Sequence, residues 1–214
     1  MTAADLSRCR LYAILDLGYV EMPAAPKMAE LLLSGGIDLL QLRAKNLSER
    51  EIEKIAQELR ALTAPHGVPL IVNDHPQAAR NVGAEGVHLG QDDMSIAEAR
   101  KIVGSDCAVG KSTHSVDQAI RAFYEGADYI GFGPLFATPT KPDYPPIGLS
   151  EIEKVHEAVR IPIFCIGGIK LDNLPKVIEA GAQRVVIVSG LLQAADVAAS
   201  ARAAKQLLNR KSKI

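Results

Sequence analysis

Gly83-Ala84-Glu85-Gly86-Val87-His88-Leu89-Gly90 and Gly126-Ala127-Asp128-Tyr129-Ile130-Gly131-Phe132-Gly133 follow one local plan. In each, a glycine closes a stretch of helical period, and a short apolar run begins within three residues. Only glycine enters the left-handed backbone conformation that ends a helix without a steric penalty from Cβ, so the plan reads as helix, turn, buried strand. Gly36-Ile37-Asp38 and Gly181-Ala182-Gln183 open two further copies, and all four precede even-numbered strands when every apolar run is counted. The repeat is expected to be architecture rather than chemistry.

Working outward, eight such runs occur, at 11–15, 39–42, 70–72, 86–89, 107–110, 129–133, 163–166 and 184–188. They alternate with helical stretches near 26–34, 48–64, 76–81, 95–103, 115–124, 150–159, 171–179 and 197–208. Ile-, Val- and Leu-rich strands separated by amphipathic helices give a parallel sheet with crossover helices. Eight units in 214 residues predict an α/β chain forming one (β/α)8 TIM barrel, a single domain over 1–214. Its core should span about 10–209, between a short polar N-terminus and a basic C-terminal tail. An open doubly wound sheet is the competing fold, disfavoured because no glycine-rich dinucleotide turn follows the first strand.

A formal net charge of -1 with 23% charged residues gives no footprint for nucleic acid or a membrane surface, so any anion must be met locally. No run approaches the roughly 18 apolar residues of a membrane span, and 1–10 lacks the apolar segment of a signal peptide, so a cytoplasmic protein is expected. Cys9, Cys107 and Cys165 are odd in number and far apart, which argues against disulfides and zinc; Cys107 and Cys165 read as buried strand residues.

In this architecture chemistry sits where the strands end. Period-two alternation places Gln41, Arg43 and Lys45 on one face and Leu40 and Leu42 on the other, so an Arg and a Lys share the barrel mouth and suit a diphosphate. Asn73-Asp74 ends the third strand, and Gly90-Gln91-Asp92-Asp93 follows the fourth. Asp74 and Asp93 thus fall on neighbouring rim positions, suited to Mg²⁺ that completes its shell with phosphate and water, whereas Asp92 reads as a cap or solvent residue. The fifth and sixth strands lead into Gly110-Lys111-Ser112-Thr113-His114 and Thr138-Pro139-Thr140-Lys141-Pro142; Lys141 can reach over the mouth. His114 is open to two readings, an acid-base group or an anchor for neighbouring loops. Gly167-Gly168 after the seventh strand and Val188-Ser189-Gly190 after the eighth, leading into a short helix near 191–194, offer backbone amides to a phosphate.

Read in order, QLRxK, VND, HLGQxD, GxSxH, TxTK, IGGI and a final VSG turn span Gln41 to Gly190, and in this order the chain resembles the thiamine phosphate synthase family. The resemblance implies condensation of 4-amino-5-hydroxymethyl-2-methylpyrimidine diphosphate with a thiazole phosphate, giving thiamine phosphate and diphosphate. It implies that Gln41, Arg43, Lys45, Asn73 and Lys141 bind the pyrimidine diphosphate, that Ser112 contacts the pyrimidine, and that Asp74 and Asp93 hold Mg²⁺. Thr138, Thr140, Gly167, Val188 and Ser189 would hold the thiazole phosphate, and Lys141, Arg43 and Ser112 would be the catalytic groups. No protein nucleophile is required. The segment 141–148, with Pro142, Pro145 and Pro146, is compact, and Leu15 stands before Asp16 where the family often has Thr. Two other functions stay open: a thiazole tautomerase on the same barrel, using His114, and a non-catalytic sensor of a phosphorylated ligand. The partners expected are small phosphorylated molecules, with neither nucleic acid nor membrane; the sequence leaves the oligomeric state unspecified.

Overall fold

The computed structural model describes residues 3–138 and 145–210. Its strands are β1 (Leu11–Asp16), β2 (Leu39–Arg43), β3 (Leu70–Asn73), β4 (Gly86–Leu89), β5 (Ala108–Thr113), β6 (Tyr129–Phe132), β7 (Ile163–Cys165) and β8 (Val185–Ile187). All neighbours are parallel, and β8 returns to β1 through Leu11↔Val185, closing the barrel. The helices are α1 (Ala3–Leu6), α2 (Ala25–Ser34), α3 (Glu49–Thr63), α4 (Pro76–Val82), α5 (Ile96–Val103), α6 (Val116–Tyr124), α7 (Glu151–Ala158), α8 (Leu174–Glu179), α9 (Ser189–Leu192) and α10 (Val197–Arg210).

Alternation along each strand divides the core in two. Leu40, Leu42, Val72, Val87 and Ile130 face outward and pack among the buried apolar side chains of the helices, such as Ile52, Ile55 and Leu59 of α3. Tyr12, Leu39, Ile71, Tyr129, Phe164 and Val186 fill the barrel interior, joined by Leu6 of α1. The three rings of Tyr12, Tyr129 and Phe164 meet edge to face, with centroids 5.3 to 6.2 Å apart. Gly110 makes this possible, because a Cβ there would lie 2.2 Å from Cζ of Tyr129.

The recurrent glycines take the expected conformation: Gly36, Gly83, Gly126 and Gly181 have φ of 83°, 68°, 91° and 102°. The acidic residue two positions later has a physical role as well. Asp38 accepts from the amide of Leu11, Glu85 from that of Leu70 and Asp128 from that of Val109, at 2.9, 2.9 and 2.7 Å. Each carboxylate thus fastens the start of its own strand to the start of the preceding one. Each also meets a cation, Lys205, Arg60 and Arg100 respectively. In the fourth copy Gln183 replaces the acid.

Among the boundaries that differ from expectation, three bear on the site or have a visible cause. β5 runs to Thr113 rather than Gly110, because its ladder with β6 continues through Lys111, Ser112 and Thr113, polar residues that period alone assigns to a loop. α8 starts at Leu174 rather than near 171, since Asn173 holds the preceding turn by accepting from the amide of Lys170 and donating to the carbonyl of Gly168. α9 starts at Ser189, two residues earlier than expected.

Candidate active site

One cavity opens at the C-terminal mouth, and Gln41, Arg43, Asn73, Ser112, Thr138 and Gly167 line it together with Val188 and Ser189. Lys45, Asp74 and Asp93 form a cluster beside Asn73. Thr140 and Lys141, expected to serve the site, lie outside the described residues.

On the β2 side the cations are already engaged. Asp16, 2% exposed, places Oδ2 2.6 Å from Nη1 of Arg43 and accepts from the amide of Gly18 at 2.9 Å through Oδ1. This fixes a guanidinium that would otherwise sample many rotamers. Lys45 lies 3.2 Å from Oδ2 of Asp74, which also accepts from the side-chain amide of Asn73 at 2.6 Å.

Asp74 and Asp93 share a hydrogen bond. Burial alone would raise the Asp74 carboxyl, yet the bond from Asp93, the charge of Lys45 and the amide of Asn73 together hold it below the usual range. Asp93 is raised, first by desolvation and then by its bond to Asp74 and that residue's charge. Two carboxylates brought this close repel one another when both are ionised, and a divalent cation completed by phosphate and water would relieve that repulsion with hard oxygen ligands. Among the described residues no cluster of three or more His, Cys, Asp or Glu could hold a metal without such completion. Asp74 has φ 62°, the one positive value outside glycine among the described residues, and its amide continues the ladder to the carbonyl of His88. Asp92 is exposed, matching its solvent reading.

The loop carrying Asp93 is held by groups that sequence reasoning missed. Lys111, 8% exposed, donates to the carbonyl of Gly90 at 2.7 Å, the side chain of Gln91 donates to the carbonyl of Ser112, and Asp93 itself accepts from the amide of Gly90 at 2.7 Å. Alternation gave a partial signal, since Lys111 must point away from Ser112. Asp16 and His88 were also missed: their partners come from other strands and leave no trace in local spacing.

Across the mouth, Gly167 and Gly168 have φ of 100° and 64°, and a Cβ on either would run into Pro134 or Phe136 at 2.4 or 2.7 Å. The backbone of Ser189 and Gly190 forms the first turn of α9, where amides have no partner within the helix. His114 donates through Nδ1 to the carbonyl of Gly133 at 2.5 Å, while its amide donates to Gln118, so it ties together the loops after β5 and β6. Burial pushes the thiols of Cys9 and Cys107 up to about 11 and Cys165 to about 12, which removes all three as nucleophiles near neutral pH.

The family described as thiamine monophosphate synthase matches residues 11–191. A thiamine-phosphate synthase of Chloroflexus aurantiacus is 42% identical over 210 residues, covering 98% of this chain and 97% of its own length. The Thermus thermophilus protein of the same name is 43% identical over 180 residues, covering 84% and 86%. Among solved structures, thiamine phosphate pyrophosphorylase from Pyrococcus furiosus superposes with a TM-score of 0.87 at 32% identity, covering 96% of this chain and 98% of that one. A 3-hexulose-6-phosphate synthase at 18% identity and TM-score 0.70 shares the barrel alone. With the fold, the seven ordered motifs and these relatives in agreement, the chain belongs to the thiamine monophosphate synthase family.

Proposed function

We propose that this transferase joins 4-amino-5-hydroxymethyl-2-methylpyrimidine diphosphate to a thiazole phosphate, releasing diphosphate, with its site residues divided between two anion pockets. The observation that carries the division is the convergence of Arg43, Lys45, Asp74 and Asp93 on the β2–β4 side while the glycine and serine amides lie on the β7–β8 side. Arg43, Lys45 and Asn73 would hold the diphosphate, with Lys141 reaching over it; Gln41 and Ser112 would hold the pyrimidine. Thr138, Thr140, Gly167, Val188 and Ser189 would hold the thiazole phosphate, with the first-turn amides of α9 facing its negative charge.

Asp74 and Asp93 would be the protein ligands of Mg²⁺. When bound, that ion supplies positive charge to the departing diphosphate. The side chains do the rest by positioning: Arg43 arrives pre-oriented by Asp16, Ser112 fixes the ring, and the two pockets set the thiazole nitrogen against the pyrimidine methylene carbon. The aminopyrimidine itself delocalises positive charge on that carbon, so no nucleophilic side chain enters. The protein is read as a single-domain, cytoplasmic enzyme of small phosphorylated molecules; among the described residues no helix is long and apolar enough to cross a membrane.

The test is direct: both phosphorylated substrates are mixed with the protein, with and without Mg²⁺, and thiamine phosphate and diphosphate are quantified. Mg²⁺-dependent appearance of both in equal amounts is expected. Isomerisation of the thiazole without coupling would indicate a tautomerase, and binding without turnover a sensor.

A further inference from the structure

A continuous hydrogen-bonded chain crosses the barrel interior at the floor of the cavity, which Tyr12, Gln41, His88 and Ser112 line. Nε2 of Gln41 donates to Oη of Tyr12 at 2.5 Å, Oη of Tyr12 lies 3.2 Å from Oη of Tyr129, Oη of Tyr129 lies 3.1 Å from Nδ1 of His88, and Nε2 of His88 lies 3.0 Å from Oγ of Ser112. Five strands supply one member each, β2, β1, β6, β4 and β5. Tyr12 and Tyr129 are fully buried, Gln41 is 1% exposed, and Gly131 leaves the space against which the His88 ring lies.

The direction of every bond follows from one end. The amide nitrogen of Gln41 can only donate, so Tyr12 accepts from it. Among the described residues the remaining partner of Tyr12 is Tyr129, and the one hydrogen of the buried Tyr12 hydroxyl is used only if Tyr129 accepts it. Among the described residues Tyr129 in turn has Nδ1 of His88 alone to donate to. A neutral imidazole that accepts at Nδ1 carries its hydrogen on Nε2, and that hydrogen goes to Oγ of Ser112. Ser112 is left with its own hydrogen for the cavity it lines. At the other end Oε1 of Gln41 is buried without a hydrogen-bond partner among the described residues. The chain thus ends in one acceptor and one donor, and neither end can reverse unless all five members reverse together.

We propose that His88, Tyr129 and Tyr12 are positioning residues that lock Ser112 as a donor and Gln41 as an acceptor, so that the site selects an amino-substituted pyrimidine over its oxo counterpart. This rests on the reading of the site as a pyrimidine pocket. An aminopyrimidine offers an amine hydrogen to Gln41 and a ring-nitrogen lone pair to Ser112. A 4-oxo ring in its usual lactam form offers a carbonyl oxygen and a ring N–H, the opposite at both ends. Chains of this kind strengthen cooperatively inside a low-dielectric interior, so the preference is shared by groups behind Gln41 and Ser112, down to Tyr129, which does not line the cavity.

Two measurements test the proposal. The first needs no substrate: long-range ¹⁵N–¹H correlation spectra of the full chain labelled at histidine report the tautomer of each ring. His88 is expected as the neutral Nε2–H form, and an Nδ1–H form in the wild-type protein would overturn the proposal. The second compares kcat/KM for the 4-amino substrate and its 4-oxo analogue in the wild type, Tyr129→Phe and Tyr12→Phe, each of which removes one oxygen. Preference for the amino substrate should fall at least about tenfold in both variants, with the KM for thiazole phosphate unchanged. An unaltered preference in folded variants would also overturn it. Wild-type protein that made no thiamine phosphate would remove the synthase reading while leaving the tautomer result standing, and if neither variant folds, the tautomer alone decides.

Discussion

Asp16 at the end of β1 holds Arg43 at the end of β2, with 2.6 Å between Oδ2 and Nη1, and a second bond from Gly18 keeps the carboxylate from turning. The arginine assigned to the diphosphate is therefore oriented before substrate arrives. Asp16→Asn keeps the shape and removes the charge, freeing Arg43 to leave its position. The expected result is a rise of about tenfold in KM for the pyrimidine diphosphate, with the KM for thiazole phosphate within about twofold of wild type. Steady-state kinetics with each substrate varied in turn would show it.

Asp74 permits a clean separation of chemistry from folding. At φ 62° most side chains cost roughly 1 kcal/mol, but Asn tolerates this conformation nearly as well as Asp. Asp74→Asn should therefore keep a native far-UV spectrum while Mg²⁺-dependent turnover falls by about 100-fold or more. Normal turnover at limiting Mg²⁺ would show that Asp74 is not a ligand.

Gly110 and Gly126 should respond differently to the same change. Gly110→Ala drives a methyl group into the ring of Tyr129, an overpacking cost of about 1–3 kcal/mol or more, and displaces the neighbour of Ser112. Gly126→Ala meets open space and costs only the strain of φ 91°, about 1–2 kcal/mol. Urea denaturation gives the stability order, and kcat/KM should fall in the first variant alone.

Asp128 anchors β6 to β5 by accepting from the amide of Val109 and pairing with Arg100. Because it sits at the end of the barrel away from the cavity, Asp128→Ala should lower stability by about 2–3 kcal/mol and leave kcat within about twofold. A large loss of kcat in the folded protein would contradict that division of labour.

Ser189 tests the monophosphate pocket. Ser189→Asp places a negative charge in the first turn of α9, where the thiazole phosphate is expected, and should raise the KM of that substrate at least about tenfold more than that of the pyrimidine. Equal effects on both substrates would mean that this turn is not a dedicated phosphate site.

Much of this arrangement was legible along the chain because it rests on local rules. Period-two alternation placed Gln41 and Arg43 on the inner face, left-handed glycines marked the helix-to-strand turns, and the described residues assigned to the pockets do line one cavity or the rim beside it. The rest depends on which strands become neighbours. Asp16 and Arg43 are 27 positions apart and Tyr12 and Tyr129 are 117 apart, so nothing in a local window pairs them. Lys111 shows the same limit: alternation says that it faces away from Ser112, and only the adjacent loop shows that it holds the carbonyl of Gly90.

The pairing of Leu11 with Val185 also sets a schedule for the newborn chain. β1 leaves the ribosome roughly 170 residues ahead of the strand that completes its ladder, which at about 5–20 residues per second is a delay on the order of 10–35 s. Throughout that interval one side of an apolar strand is available to any other extended segment nearby. Conditions that slow translation late in the message should therefore reduce the yield of native protein more than those that slow it early, even though the finished barrel is the same.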